Sequence, residues 1–248
     1  MAKLILGILD CDDLSPELRG DYHSYTGMFK TLFEPLFESG APFKDSSIEY
    51  RRYDVQKNDF PSTLNECDAY LITGSKTGVY DDKSWIKQLK SFIQLAYKGA
   101  VKLVGLCFGH QILAEALGGK AEKSEKGWGV GAMTSKSVAH ADWMTEKLET
   151  ICLLYSHQDQ VTQLPPTAKT LFSSEFCQFG AFYIPHKILA FQGHPEFTID
   201  YCHRLMFLRQ ERYAEGQYES AIKSLDMPLH SQQLGKWIIN FLYDDSAL

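Results

Sequence analysis

The chain has 248 residues, of which 44% are hydrophobic and 23% charged, and its formal net charge is −6 at pH 7. This length and composition are typical of one globular domain and argue against a disordered chain. The acidic balance argues against nucleic-acid binding, which needs a basic surface to displace counterions. We therefore expect a single domain over residues 1–248 and no nucleic-acid partner.

The cysteines and the N-terminus indicate a reducing compartment. The sequence holds six widely scattered cysteines, Cys11, Cys67, Cys107, Cys152, Cys177 and Cys202. None forms a CxxC pair or has zinc-finger spacing, and their scatter is unlike a secreted disulfide framework. The N-terminal apolar run meets Asp10 too early for a signal peptide, and no stretch reaches the roughly 18 apolar residues of a membrane span. We expect a cytoplasmic protein without membrane contact.

The first half of the chain predicts strands that alternate with helices. Four segments have the character of strands: apolar runs at residues 3–9, 69–73 and 101–106, and a loosely alternating segment at residues 48–55. Three segments have apolar residues at helical spacing, at residues 25–37, 85–97 and 110–117. Pro35 interrupts the first of these helices, and Gly118 ends the last. This order favours a parallel sheet covered by helices.

The rest of the chain predicts an antiparallel extension and then more helices. From Lys120 to Gln192, short strand-like segments are separated by turns, which favours antiparallel pairing before the chain re-enters the main sheet. After Pro195 we expect helices over 201–213 and 232–242. The predicted fold class is α/β, with a mostly parallel sheet flanked by helices and a small antiparallel extension.

The most informative stretch places Cys107 between a predicted strand and a predicted helix, with Gly105 and Gly109 two residues away on either side. A nucleophile at such a sharp turn has a strained backbone, and larger side chains at the two flanking positions would collide. The helix N-terminus favours a thiolate and can stabilise an oxyanion. The alternative is a small core cysteine, which the paired glycines disfavour. The pattern indicates a cysteine nucleophile.

A cysteine nucleophile needs a base, and His194 has the best context of the eight histidines. His194 and Glu196 are two residues apart in an extended segment, so their side chains point to one side, and Pro195 enforces that extension. Glu196 can then orient one ring nitrogen while the other faces the thiol. His110 turns away along the helix and is expected to be structural, whereas Gln111 could face the pocket or solvent.

Five motifs in these regions resemble the class I glutamine amidotransferases. Segment 105–111, GLCFGHQ, resembles their nucleophile motif, and segment 193–196, GHPE, resembles their His-x-Glu motif. Segment 73–75, TGS, resembles the turn that completes the oxyanion hole. Segment 156–159, SHQD, resembles the border of the glutamine pocket in GMP synthases, and residues 127–128, GW, resemble a pair common in stand-alone members. All five occur in the family's order.

The resemblance implies a flavodoxin-like α/β fold and a catalytic triad of Cys107, His194 and Glu196. It also implies roles for residues around the triad. The implied oxyanion donors are backbone amides at Phe108, Gly74 or Ser75, and the implied substrate contacts come from Gln111, Ser156, His157 and Asp159. No cofactor and no metal are expected.

The implied chemistry is hydrolysis or transfer of a γ-glutamyl amide through a cysteine thioester. The implied substrate is glutamine or a γ-glutamyl peptide. Since we expect no synthase domain after the motifs, the chain resembles the stand-alone branch, which includes the γ-glutamyl peptidases. One alternative is a glutaminase subunit that supplies ammonia to a separate synthase partner. Another is a catalytically silent binding or regulatory module. A further class of cysteine enzymes has histidine directly after the nucleophile, but Phe108 occupies that position here.

Overall fold

The computed structural model describes residues 3–38, 41–99 and 101–244, and most of its strands form one nine-stranded sheet. The strands are β1 (Lys3–Asp10), β2 (Ser47–Asp54), β3 (Ala69–Ile72), β4 (Lys102–Leu106), β5 (Lys120–Lys123), β6 (Gly129–Ser137), β7 (Thr150–His157), β8 (Asp159–Gln163), β9 (Lys169–Ser173), β10 (Ala181–Ile184) and β11 (Ile188–Phe191). The order across the large sheet is β2-β1-β3-β4-β11-β10-β9-β6-β7, and β5 pairs with β8 separately.

One half of the large sheet is parallel and the other half is antiparallel. Strands β2, β1, β3, β4 and β11 pair in parallel. Strands β10, β9, β6 and β7 continue the sheet with antiparallel pairing. Every residue of β3 and β11 is buried, as expected for strands covered on both faces. The predicted α/β sheet with an antiparallel extension is confirmed.

The helices cover the two faces of this sheet. They are α1 (Pro16–Tyr22), α2 (Tyr25–Phe33), α3 (Ser84–Lys98), α4 (Phe108–Ala116), α5 (Ile199–Arg209), α6 (Gln217–Ser224) and α7 (Ser231–Tyr243). Apolar residues of α3 and α4 pack into one core, and those of α2, α5 and α7 pack into the other. Among the described residues, no helix combines the length and the apolar character needed to cross a membrane.

Several helix boundaries differ from the sequence-based expectation for local reasons. Helix α2 ends before Pro35, and a short 3₁₀ helix over Glu34–Phe37 takes its place. Helix α4 begins directly after Cys107, two residues earlier than predicted. Helix α5 begins earlier than predicted because the Thr198 side chain accepts a hydrogen bond from the Tyr201 backbone. Helices α1 and α6 were not predicted, since each is short and buries one residue only.

The junction between β4 and α4 depends on two glycines that allow close backbone contact. A Cβ atom on Gly105 would lie 2.5 Å from the carbonyl carbon of Gly109. A Cβ atom on Gly109 would lie 2.2 Å from the carbonyl oxygen of Ile72, at the end of β3. Since both neighbours are backbone atoms, neither can move without shifting a strand or a helix.

We expect Gly109→Ala to destabilise the fold by about 3 kcal/mol or more, the upper end of the usual cost of overpacking. For a chain of this size, that corresponds to a loss of roughly 6–12 °C in Tm, measurable by calorimetry. Gly20→Ala is the control, because nothing lies within 4 Å of a Cβ atom at that helical position. Equal melting temperatures for Gly109→Ala and wild type would contradict the described contact.

Candidate active site

Cys107 occupies a strained turn between β4 and α4. Its backbone has φ 53° and ψ −100°, a region that residues with a Cβ atom rarely adopt. The Cys107 N–H donates to the carbonyl oxygen of Phe191 at 2.9 Å, which ties the turn to the end of β11. The surrounding sheet therefore holds the cysteine in a conformation that such residues adopt mainly at functional sites.

His194 and Glu196 follow β11, the parallel neighbour of β4. The Nδ1 atom of His194 lies 2.7 Å from Oε1 of Glu196, and both side chains are buried. Cys107 lies on the other side of Gly74: a Cβ atom on Gly74 would lie 3.1 Å from Cε1 of His194 and 3.7 Å from Cβ of Cys107. The imidazole also stacks on Phe197, with 3.8 Å between ring centroids. The structure thus brings the three residues of the expected triad together.

The charge state of His194 is set by its two neighbours. Burial disfavours the imidazolium and lowers the pKa, but the Glu196 carboxylate and Cys107 outweigh this effect and raise the pKa of His194 to about 10. At neutral pH the imidazole is therefore protonated. A cysteine beside an imidazole that a carboxylate orients is the arrangement that activates a thiol for attack on a carbonyl.

The expected oxyanion donors lie on both sides of Cys107. Phe108 is the first residue of α4, where backbone N–H groups have no acceptor within the helix. Gly74 and Ser75 follow β3, and a Cβ atom on Gly74 would lie 3.1 Å from Cε1 of His194. The Gly74 turn therefore borders both Cys107 and His194. Amides at these places can donate to an oxygen that becomes negative above the sulfur.

A cavity of about 300 Å³ opens beside Cys107. The expected substrate contacts Gln111, Ser156, His157 and Asp159 all line it. The amide Nε2 of Gln111 donates to the carbonyl oxygen of Asp159 at 2.8 Å and to Oε1 of Gln192 at 3.1 Å. These bonds fix the side chain that sequence reasoning could not orient, and they place it at the cavity wall.

Other lining residues were not predicted from the sequence. The charged ones are Lys76, Asp81, Lys123, Arg209 and Arg212, and the aromatic ones include Tyr80 and Trp128. Arg209 ends α5 and donates from Nη1 to the Ser156 hydroxyl at 3.0 Å. A basic residue in the last turn of a helix is ordinary, so only the tertiary structure assigns it to the cavity.

Two other buried histidines near the site are neutral. Burial, with a smaller contribution from nearby His157, lowers the pKa of His110 to about 3, and the ring packs on Phe182. Burial lowers the pKa of His157 to about 4, and its Nδ1 lies 2.9 Å from the carbonyl oxygen of Asp159. The placement of His110 agrees with the structural role expected for it.

Within residues 3–38, 41–99 and 101–244, no cluster of three or more His, Cys, Asp or Glu side chains could hold a metal ion. Cys107, His194 and the neighbouring backbone amides form an arrangement capable of nucleophilic acyl substitution. A covalent acyl-cysteine intermediate is the product of such a step.

Comparisons with known proteins identify the family of the chain. The family model "Glutamine amidotransferase class-I" matches residues 31–208. A glutamine amidotransferase-like protein of Schizosaccharomyces pombe is 32% identical, covering 96% of this chain and 98% of its own. Gamma-glutamyl peptidase 2 of Arabidopsis thaliana is 27% identical, covering 69% and 74%. A solved glutamine amidotransferase from Thermotoga maritima shares the fold, with TM-score 0.71 and 19% identity over 97% of this chain and 96% of that one.

We expect Glu196→Gln to lower the pKa of His194 by about 1–3 pH units, because it removes the adjacent negative charge. The stabilising contribution of a His194 pKa of about 10 is complete below the ordinary value of 6.5 and is lost as pH rises towards 10. The variant should therefore lose more stability at about pH 6 than at about pH 9.

Histidine NMR titration and denaturant unfolding at the two pH values measure these effects. Glu17→Gln, an exposed position on α1, is the control and should change neither. An unshifted His194 titration in Glu196→Gln would contradict the assigned ion pair.

Proposed function

Because the chain belongs to the class I glutamine amidotransferase family, we propose that it cleaves or transfers γ-glutamyl amides through a thioester on Cys107. The observation that carries this proposal is the strained backbone of Cys107 beside the buried His194–Glu196 pair. A structural cysteine has no need of a φ of 53° or of a charged imidazole beside it.

The first half of the reaction forms the thioester. The Cys107 sulfur attacks the γ-carbonyl carbon, and the carbonyl electron pair moves to oxygen. Backbone N–H groups of Phe108 and of Gly74 or Ser75 donate to that oxyanion; losing one such donor typically costs about 10²–10³ in rate. His194 gives its proton to the departing nitrogen, the carbon–nitrogen bond breaks, and ammonia or an amine leaves.

The second half releases the γ-glutamyl group. His194 takes a proton from water, and the resulting hydroxide attacks the thioester carbon. The carbon–sulfur bond then breaks, glutamate forms and the Cys107 thiolate is restored. An amine acceptor in place of water gives transfer rather than hydrolysis. Glu196 keeps the imidazole oriented and balances its charge through both halves.

The cavity wall supports an amino-acid substrate with additional negative charge. Asp159 is half-buried beside Gln111 and can pair with an α-ammonium group, while Asp81 also lines the cavity. The cationic lining residues are Lys76, whose ammonium is paired with Asp12, and Lys123, Arg209 and Arg212. Glutamine is a neutral zwitterion, whereas a γ-glutamyl amino acid carries a second carboxylate. The excess of cations therefore favours a γ-glutamyl peptide over glutamine.

We expect Cys107 to react with iodoacetamide before the other five cysteines. All six cysteines are buried, but of these only Cys107 lines the cavity beside Gln111. Timed quenching and peptide mass spectrometry measure the order of labelling. Cys177→Ala should label as wild type does, and Cys107→Ala should lose the fast site and all turnover. Uniform labelling of the accessible thiols would contradict an activated nucleophile.

We also expect the isolated protein to prefer γ-glutamyl amino acids to glutamine by about tenfold or more in kcat/KM, equivalent to about 1.4 kcal/mol. γ-Glutamylglycine should exceed γ-glutamylglycinamide, the matched control that lacks the second carboxylate. Released glutamate is the measurement. Glutamine as the best substrate, or turnover only with a synthase present, would favour the ammonia-supplying subunit. Absence of all turnover would favour the silent module.

A further inference from the structure

The turn after β3 contains the Gly74 and Ser75 backbone amides, but these residues are not part of a strand and do not pair with the sheet. Residues 73–75 have no regular secondary structure, and the following residues form bends before α3. An oxyanion donor contributes to catalysis only when its N–H is held at the place where charge develops. Groups outside the turn must therefore fix its position.

The loop after β1 supplies those groups. The Asp12 carboxylate accepts the Lys76 backbone N–H through Oδ2 at 2.9 Å. Its Oδ1 lies 3.0 Å from Nζ of Lys76 and accepts the Asp13 backbone N–H at 2.9 Å. The Thr73 hydroxyl accepts the Cys11 N–H at 2.9 Å and donates to the carbonyl oxygen of Gly74 at 3.2 Å. The turn is thus bonded to this loop on both sides of Ser75.

Asp12 differs from its neighbour Asp13 in exposure and in contacts. The Asp12 side chain is 5% exposed, whereas that of Asp13 is 56% exposed and faces Arg19 and Arg52. A buried carboxylate is costly unless hydrogen bonds and a cation satisfy it, and Asp12 has both from Lys76. The structure places the Asp12 carboxylate against the turn.

We propose that Asp12 is a positioning residue for the oxyanion hole. Its carboxylate fixes the turn through Lys76, so that the N–H of Gly74 or Ser75 points to the carbonyl oxygen above Cys107. The inference rests on the proposed thioester chemistry. Asp12 touches neither the nucleophile nor the base in this arrangement, and its effect is confined to the transition state.

The test compares Asp12→Asn and Asp12→Ala with Asp13→Asn and Asp13→Ala, on γ-glutamylglycine. We expect the Asp12 variants to lose about 10- to 100-fold in kcat, less than deletion of a donor, with KM changed by less than about threefold. Alkylation of Cys107 by iodoacetamide should keep its wild-type rate, because that displacement forms no oxyanion. The Asp13 variants should match wild type in all three measurements.

Amide hydrogen exchange gives a readout that does not depend on turnover. Peptides covering 73–77 should exchange faster in Asp12→Asn than in Asp13→Asn, while peptides from β4 stay unchanged. Unchanged exchange, or faster exchange with wild-type kcat, would overturn the positioning role. If wild type itself cleaves no γ-glutamyl compound, the proposed function fails and the oxyanion role fails with it, whatever the exchange shows.

Discussion

The backbone of Cys107 is the constraint on which the rest of the site depends. A positive φ at a residue with a side chain costs about 1–3 kcal/mol, and the structure must hold it there. Gly105 and Gly109 allow the strand and helix on either side to touch, and the Cys107 N–H is bonded to the end of β11. Cys107, His194 and the Gly74 turn therefore meet at the carboxyl ends of three adjacent parallel strands.

Three buried histidines near the cavity show how one charge decides a protonation state. His110 and His157 are as buried as His194, and their pKa values fall because burial disfavours the charged ring. His194 alone of the three has a carboxylate on one side and a thiol on the other, and its pKa rises. Burial by itself lowers the pKa of His194, but the interaction with the Glu196 carboxylate is stronger in a buried site and, together with Cys107, outweighs that effect.

Sequence reasoning predicted the local features of the site and missed those that depend on tertiary structure. The turn at Cys107 and the segment with His194 and Glu196 are short motifs whose spacing has a steric cause, so the sequence reveals them directly. Arg209 reaches the cavity from the end of α5, and Asp12 reaches the Gly74 turn from a separate loop. Neither placement has a periodic or motif signal.

In the same way, the sequence predicted individual strands but not the order in which they pair. Apolar runs identified the parallel strands β1, β3 and β4, and every residue of β3 is buried. The order in which β11 inserts beside β4, with β10, β9, β6 and β7 beyond it, depends on pairings between distant segments. Short helices such as α1 and α6 bury too little surface to show a period.

The insertion of β11 beside β4 has a consequence for how reactivity arises during synthesis and folding. Six strands separate these two partners along the chain, so the thiol and the imidazole meet only after a long loop has closed. Such non-local pairing is slow to form compared with local elements. A nascent or partly folded chain thus holds Cys107 apart from His194, and the two side chains come together only once the sheet around them is complete.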